Sequence, residues 1–300
     1  ARKSWQQQEF DIVQSHERIA GCDIYRAGDG VHKRWLLQRS RILSGWKQRQ
    51  LFSDSYHRYV MKAEHDMYTS AELKTVICNA DMIKQEIIED FSVPAEKIHV
   101  IYNAIDHKKF IPAEEAQRQR LRQQHNIPPQ AHCLIFVGSG FERKGLKAAI
   151  EAIAATKTHL LVVGKDKTER RYHQLAASLG CENRVHFLGM QPQVLPFYQL
   201  SDGLLLPTLY DPFPNVILEA MACGLPVITS NYCGGAEFIR DGYNGFITDA
   251  LDVPALIQSI EYLSTNGSKS VMGLQARKTI LPFTPELLSN RLFSLYQELL

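Results

Sequence analysis

The chain has 300 residues, 45% of them hydrophobic and 22% charged, with 34 Lys and Arg against 32 Asp and Glu. At roughly 100 to 200 residues per domain this is enough for about two domains with cores of their own, and the mixture excludes an intrinsically disordered chain or a fibrous repeat. A formal net charge of +2 argues against a dedicated nucleic-acid binder. The six cysteines (Cys22, Cys78, Cys133, Cys181, Cys223 and Cys233) are scattered, with no CxxC pair and no His at ligand spacing, so they indicate neither a disulfide framework nor a zinc site and suit a reducing cytoplasm. No apolar run approaches the ~18 residues of a membrane span, and the opening ARKSWQQQEF has no hydrophobic signal region.

In chain order, apolar bursts bounded by turn residues alternate with amphipathic stretches. Strands are predicted at 10–14, 22–27, 75–80 and 97–102, and again at 132–138, 158–164, 184–189, 202–208, 226–230 and 245–249. They are short and rich in Val, Ile and Leu, without strict alternation, and helix-length segments separate them. Such runs read as buried parallel strands in β-α units, so the fold class is α/β. A polar, proline-marked stretch after Tyr102, running to His132, divides the strands into two groups. Six downstream strands fit one complete doubly wound sheet. Upstream only about four strands occur where each β-α unit takes ~30 residues. The expected division is a first domain at 1–105, a second at 106–282, and a C-terminal helix at 283–300 that returns to the first. The first domain is expected to lack its opening two or so units, with which the initial Ala1 agrees; an unusually small, irregular domain is the alternative.

Within the first group, HERIAGCDIYRAGDGVH (16–32) concentrates His16, Glu17, Asp29 and His32 around glycines. This polar segment either lines a cleft or is only structural. From Lys33 to Lys62, the basic Lys33, Arg34, Arg39, Arg41, Lys47, Arg49, Arg58 and Lys62 face a single acid, Asp54, with Trp35, Trp46, Phe52, Tyr56 and Tyr59 interleaved. That composition suits an anionic membrane surface or an anionic acceptor; polyanion binding or a merely solvated helical face would also produce it.

After the strand at 132–138, GSGFERKGLKAAIEAIA (138–154) supplies a glycine-rich turn, two cations and an amphipathic helix. Gly138 and Gly140 let the backbone approach a ligand, and Arg143 and Lys144 can neutralise a diphosphate beside a helix N-terminus. A solvated cationic helix start is the plain alternative. The segment fits no other phosphate motif: Arg143 stands where GxGxxG needs its third Gly, and Leu146 follows Gly145 where a P-loop needs Lys.

The segment LLLPTLYDPFPNVILEAMACGLPVITS (204–230) is the most informative. A strand ends at Pro207, an aromatic and proline-rich loop carries Asp211, and a helix starts near Asn215 and stops at Gly224. Asn215 is the candidate N-cap, and the amides beyond it, Val216 included, would suit an anion. Asp211 and Glu219 can both face the crevice outside the carboxyl ends of the strands, where open α/β sheets bind ligands. Taken singly, each has a structural alternative: Glu219 as a partner of the helix dipole, Asp211 as a turn former. A last element, CGGAEFIRDGYNGF (233–246), places Gly234, Gly235 and Glu237 in a tight loop after a strand. No Asp-x-Asp occurs, so the carboxylate pair of metal-dependent nucleotide-sugar enzymes is not evident, and no GxSxG or convincing triad setting is present.

Together these motifs resemble the group 1 retaining glycosyltransferases (family 4) of GT-B architecture, in which two Rossmann-like domains face a cleft. The resemblance rests on DPFPNVILEAMACGLPVI (211–228), VGSGFERKG (137–145), VIYNAID (100–106) with Phe110, and the late CGGAEFI and DGYNGF. It is continuous from about Thr75 to Phe246. Within the family, GSGFERKG, VVGKDK and the CGG look most like the lipopolysaccharide core glucosyltransferases, which use UDP-glucose.

The resemblance implies a metal-independent hexosyltransferase without a cofactor, whose partners are a nucleotide-sugar donor and a glycan or lipopolysaccharide core acceptor. It implies a cytoplasmic enzyme, peripheral at an anionic inner membrane, with no nucleic-acid partner. The implied donor site is Gly138, Ser139, Gly140, Arg143, Lys144, Asp211, Pro214, Asn215, Val216 and Glu219. There Glu219 holds the ribose, Asp211 the donor sugar, and Lys144 and Arg143 the diphosphate; Asp211, Lys144, Arg143 and Asp29 are the implied catalytic set. His16, Asp29 and His32 are the weaker acceptor-side candidates. Two positions depart from the family: the first acid is Asp211 where Glu is common, and Ser139 stands where many members carry Arg, leaving Arg143 to replace it. The family's N-terminal glycine loop has no counterpart. A sugar-nucleotide epimerase and a non-catalytic nucleotide-sugar binder are the competing readings; a nicotinamide oxidoreductase lacks its fingerprint.

Overall fold

The computed structural model of the chain describes residues 10–266 and 271–300. It divides into two compact units, one formed by residues up to Asn103 with Tyr210–Phe213 and Glu286–Leu300, the other by Ala104–Leu209 with Pro214–Pro285.

The described part of the first unit carries a four-stranded parallel sheet, β1 (Gln14–Ser15), β2 (Ile24–Ala27), β3 (Thr75–Cys78) and β4 (Ile98–Val100), in spatial order β1-β2-β3-β4. The run at 10–14 contributes less strand than its apolar residues suggest. The Val13 amide donates to the Asp23 carboxylate instead of to a ladder partner (2.9 Å), so pairing starts only at Gln14. Three helices, α1 (His32–Ser40), α2 (Gly45–Ser53) and α3 (Ser55–Tyr68), connect β2 to β3, and α4 (Asp81–Phe91) connects β3 to β4. Asp54 caps α3, accepting from the amides of Tyr56 and His57. β3 is buried along its whole length, as a strand covered on both faces must be.

The second unit holds β5 (Cys133–Val137), β6 (His159–Val163), β7 (Val185–Gly189), β8 (Gly203–Leu206), β9 (Val227–Ser230) and β10 (Gly245–Thr248), all parallel, in the order β10-β9-β8-β5-β6-β7. Read from β7, this is the doubly wound 3-2-1-4-5-6 order, and the direction of winding reverses between β5 and β8. Its helices are α5 (Glu115–Gln124), α6 (Leu146–Ala154), α7 (Glu169–Ser178), α8 (Leu195–Leu200), α9 (Asn215–Ala222), α10 (Val253–Asn266) and α11 (Val271–Ile280). The apolar residues of β5 and β8 and of the inner face of α6 form its core.

At the amino ends of β5 and β8, Asp202 is a buried structural anion. It accepts from the Cys133 amide and from Arg122 (both 2.7 Å) and pairs with Arg118. Arg122 spends its other donors on the carbonyls of Leu200, Pro129 and Ala131, so this ion cluster ties α5 to the amino ends of the central strands, away from their carboxyl ends.

The last helix, α12 (Pro285–Leu299), belongs from Glu286 onward to the first unit. Leu295 packs into a cluster with Ile24, Ile77 and Ile101, and Leu288, Leu292, Tyr296 and Leu299 pack around it at helical spacing. Residues 210–213, expected with the second domain, also cluster with the first, because the Tyr210 hydroxyl bonds to Glu86 and to the Val31 amide there. All six cysteines are buried, and among the described residues none is joined in a disulfide.

Candidate functional site

In the second unit the loops leaving β5 and β8 meet at the switch point, where a doubly wound sheet opens a crevice for a ligand. The β5 loop, 138–145, is held by two close backbone approaches that only glycine permits. Gly164 (φ +135°) approaches Gly138 so closely that a Cβ would lie 2.2 Å from the Gly138 carbonyl oxygen. At Gly145 (φ +79°) a Cβ would fall 1.8 Å from the carbonyl oxygen of Pro207, at the end of β8. The two loops are also tied directly: the Arg143 carbonyl accepts from the Leu209 amide (2.8 Å) and from the Thr208 hydroxyl (2.9 Å).

Lys144 is buried, and its aliphatic stem lies over Gly138, with Cε 3.1 Å from where a Cβ would stand. A cation drawn in from solvent against a glycine-lined loop is suited to an anionic ligand atom. Arg143 is half-buried beside it, while Ser139 and Gly140 are exposed. Asp166, from the VVGKDK segment after β6, braces the loop by accepting from the Phe141 amide (3.0 Å). Burial opposes ionisation of Asp166, yet hydrogen bonds from Thr168, Phe141 and Gly140 outweigh it and hold the carboxyl below its ordinary range.

The helix after β8, α9, begins at Asn215, with Pro214 as the N-cap and no side-chain cap. Asn215 is therefore not the cap expected from its residue type: it already lies within the first turn, with its side chain exposed, and Pro214 supplies the extended residue before it. Val216 is half-buried on the same turn. α9 ends against Gly224, whose left-handed φ of +74° suits the position after a helix. Glu219 is half-buried and accepts from the Tyr198 hydroxyl (2.8 Å); burial raises its pKa, opposed by that hydrogen bond and by Lys109. Gly235 packs on Ile217 of α9, where a Cβ would meet the Ile217 Cδ1 at 2.6 Å, while Glu237 is exposed.

The first unit holds the remaining predicted residues. His16 and Asp29 follow the carboxyl ends of β1 and β2, and His32 opens α1. His16 is exposed and contacts the Gln14 amide nitrogen at 3.2 Å; Asp29 is exposed and 3.5 Å from Arg18. The His32 ring stands 3.1 Å from that of His57, and burial, with His57 and Arg18, pulls its pKa down to about 4. The His32 amide donates to the buried carboxylate of Glu64, which also pairs with Arg18 at 3.0 Å. Asp211 is buried in a segment whose neighbour Tyr210 donates to Glu86 at 2.6 Å. Burial, the larger influence, pushes the Glu86 carboxyl up to about 7, against the hydrogen bond from Tyr210 and the charge of Arg34.

Arg18, Glu64, Glu86, Tyr198 and Tyr210 were not legible as site residues, because each acts through a partner distant in sequence. Of the basic run, Lys33 and Arg34 are paired with Asp90, and Arg34 also with Glu89, while Trp46, Tyr56 and Tyr59 are exposed, with Lys47 over the Trp46 ring. Among the described residues no helix is long and apolar enough to cross a membrane.

A doubly wound parallel sheet with a glycine-and-cation loop at its switch point, accompanied by a second parallel α/β unit, matches the architecture of the GT-B glycosyltransferases. The solved structures agree at the level of fold. WaaG, a glycosyltransferase involved in lipopolysaccharide biosynthesis, is 24% identical at a TM-score of 0.81, over 97% of this chain and 79% of that one. Anabaena Alr3699/HepE in complex with UDP-glucose is 22% identical at a TM-score of 0.71, over 92% and 72%. Residues 117–279 match the family model of the glycosyl transferases group 1, and residues 1–109 that of glycosyltransferase family 4. The chain belongs to the group 1 glycosyltransferases.

Among curated relatives, the lipopolysaccharide glucosyltransferase WaaG of Escherichia coli (strain K12) is 28% identical over 79% of this chain and 63% of its own length. The lipopolysaccharide core biosynthesis glycosyltransferase LpsE of Rhizobium meliloti (strain 1021) is 28% identical over 72% and 64%. The chain thus spans less than two thirds of either relative.

Proposed function

We propose that the chain transfers glucose from UDP-glucose to a lipopolysaccharide core acceptor, with retention of anomeric configuration and without a metal ion or other cofactor. The observation that carries this reading is Lys144, buried over Gly138 at the switch point with Arg143 beside it. The two similar curated proteins named for lipopolysaccharide synthesis supply the acceptor class. Breaking the anomeric C–O bond leaves negative charge on the diphosphate while the sugar becomes oxocarbenium-like. Arg143, Lys144 and the α9 N-terminus at Val216 stabilise that leaving group in place of a metal. Glu219 takes the ribose hydroxyls and Asp211 the donor sugar. The acceptor hydroxyl then attacks from the face the diphosphate leaves, and its proton passes to the departing phosphate oxygen, so no enzymic nucleophile is required. His16, Asp29 and His32 of the first unit are the candidates for contact with the acceptor.

The exposed Trp46, Tyr56 and Tyr59, interleaved with Lys47, Arg58 and Lys62, support peripheral attachment to the anionic face of a cytoplasmic membrane. Titration calorimetry of UDP, UDP-glucose, UDP-N-acetylglucosamine and GDP-mannose in the presence of EDTA tests the donor site. Selective UDP and UDP-glucose binding, lost in Glu219→Ala, is the expected result; equal binding by the variant overturns the assignment of Glu219. Product analysis separates transfer from epimerisation, and UDP-glucose binding without any turnover would identify a non-catalytic binder.

A further inference from the structure

We propose that Tyr210 is a positioning residue, one that fixes Asp211 against the start of α1 through hydrogen bonds to the Glu86 carboxyl and the Val31 amide. The inference rests on the proposed role of Asp211 at the donor sugar. Its first ground is that a four-residue segment, 210–213, packs with the first unit although Leu209 and Pro214 on either side belong to the second. Such a segment is held by its own contacts, and here they lie on both sides of Asp211. On one side Tyr210 donates to Glu86 at 2.6 Å and accepts from the Val31 amide at 2.9 Å. On the other, the Phe213 ring lies 6.2 Å from that of Tyr102.

The second ground is that the surroundings are built to fit the hydroxyl. Gly30 has a left-handed φ of +69°, and a Cβ there would lie 2.3 Å from the Tyr210 oxygen and 2.8 Å from Cγ of Pro212. Tyr210 is only 1% exposed and Glu86 7%. Burial alone would be served by Phe opposite an apolar residue; a buried carboxyl is costly unless it is bonded, so the pair fixes geometry rather than adding apolar contact.

The third ground is where the bonds end. Val31 is the N-cap residue of α1, and the next amide, His32, is taken by Glu64, which Arg18 holds. One helix start therefore references Asp211, through Tyr210, and the loop of Asp29, through Gly30, to the same frame. A displacement of about 1 Å at a reacting group can cost about 10²-fold in turnover, which makes such a reference matter.

The test compares the 300-residue chain with Tyr210→Phe, Glu86→Ala and Glu86→Gln. Two quantities are read: hydrogen exchange of the amides of Leu209, Tyr210, Asp211 and Phe213, and steady-state transfer from UDP-glucose to delipidated lipopolysaccharide inner core. Tyr210→Phe is expected to lose protection in that segment, to lower kcat by 10- to 100-fold, and to leave the KM for UDP-glucose within about threefold. Glu86→Ala should do the same, whereas Glu86→Gln, which keeps an acceptor oxygen for Tyr210, should retain most of the turnover; a general loss of packing would not be rescued in this way. Unchanged protection, or lost protection with unchanged kcat, overturns the positioning role while leaving the transferase reading intact. A wild-type chain that binds UDP-glucose but transfers nothing overturns that reading, and the role of Tyr210 with it.

Discussion

The Glu86 carboxyl gives the most quantitative handle on the first unit, through Glu86→Gln. Its pKa in the folded chain is about 7 against an ordinary value of 4.5, with burial as the main cause. The sign follows from proton binding. Between those two values the folded chain binds the proton that the unfolded chain releases, so this group's contribution is fully present below 4.5 and is lost as pH rises through about 7. At about 1.36 kcal/mol per pH unit the whole interval is worth about 3 kcal/mol. Glutamine is neutral throughout and keeps an acceptor for Tyr210, so the variant should match the wild type near pH 4.5 and exceed it by about 2 to 3 kcal/mol at pH 8.

Urea melts followed by tryptophan fluorescence report on the relevant unit, since Trp35 and Trp46 both lie in it. The readout is the variant-minus-wild-type difference at each pH, because other groups slope the opposite way. His32, with its pKa pulled down to about 4, contributes stability that is full above its ordinary 6.5 and is lost as pH falls toward 4. A difference that stays flat from pH 4.5 to 8 would refute the upward shift of Glu86.

Further outcomes follow from local geometry. Gly145→Ala should destabilise the second unit by more than about 2 kcal/mol, because the left-handed backbone alone costs about 1 to 2 kcal/mol and its Cβ meets the Pro207 carbonyl. Gly140→Ala, with φ +73° and nothing within 4 Å, should cost only the backbone share, and thermal melts giving equal losses would contradict the close approach. Lys144→Ala should lower turnover on the order of 10² to 10³ while the fold is kept, which circular dichroism and single-turnover assays would check together; unchanged turnover removes Lys144 from the diphosphate site. In nuclear magnetic resonance the His32 ring should titrate near pH 4, and a midpoint at 6 or above would contradict its half-buried pairing with His57.

What could be read directly from the sequence was what local pattern determines. The apolar bursts without alternation marked parallel strands because strands buried on both faces keep no polar side, and each predicted strand has a counterpart among the ten strands of the described residues. Gly138, Arg143 and Lys144 could be picked out because a glycine turn followed by cations carries its chemistry within eight residues. Asn215 shows the limit of such reading: its residue type favours an N-cap, yet the Pro-Phe-Pro segment before it moves the cap to Pro214, since proline fixes the extended residue that precedes the first turn.

What escaped was whatever depends on a partner far along the chain. Glu86 reads as an ordinary polar position of α4, and Tyr210 as one more aromatic in a loop, until the fold sets them 2.6 Å apart across 124 residues. Asp166 is likewise one acid in a charged turn, and only the neighbouring strand makes it the brace of the 138–145 loop. The difference is one of kind: residues that would touch a ligand sit on the short glycine- and proline-marked loops that sequence exposes, whereas the residues that hold those loops still are bonded through the sheet. Assigning function to the first set by motif therefore leaves its precision unexplained, and for Asp211 the neighbouring contacts are a buried acid, a tyrosine hydroxyl and the amides at the start of α1.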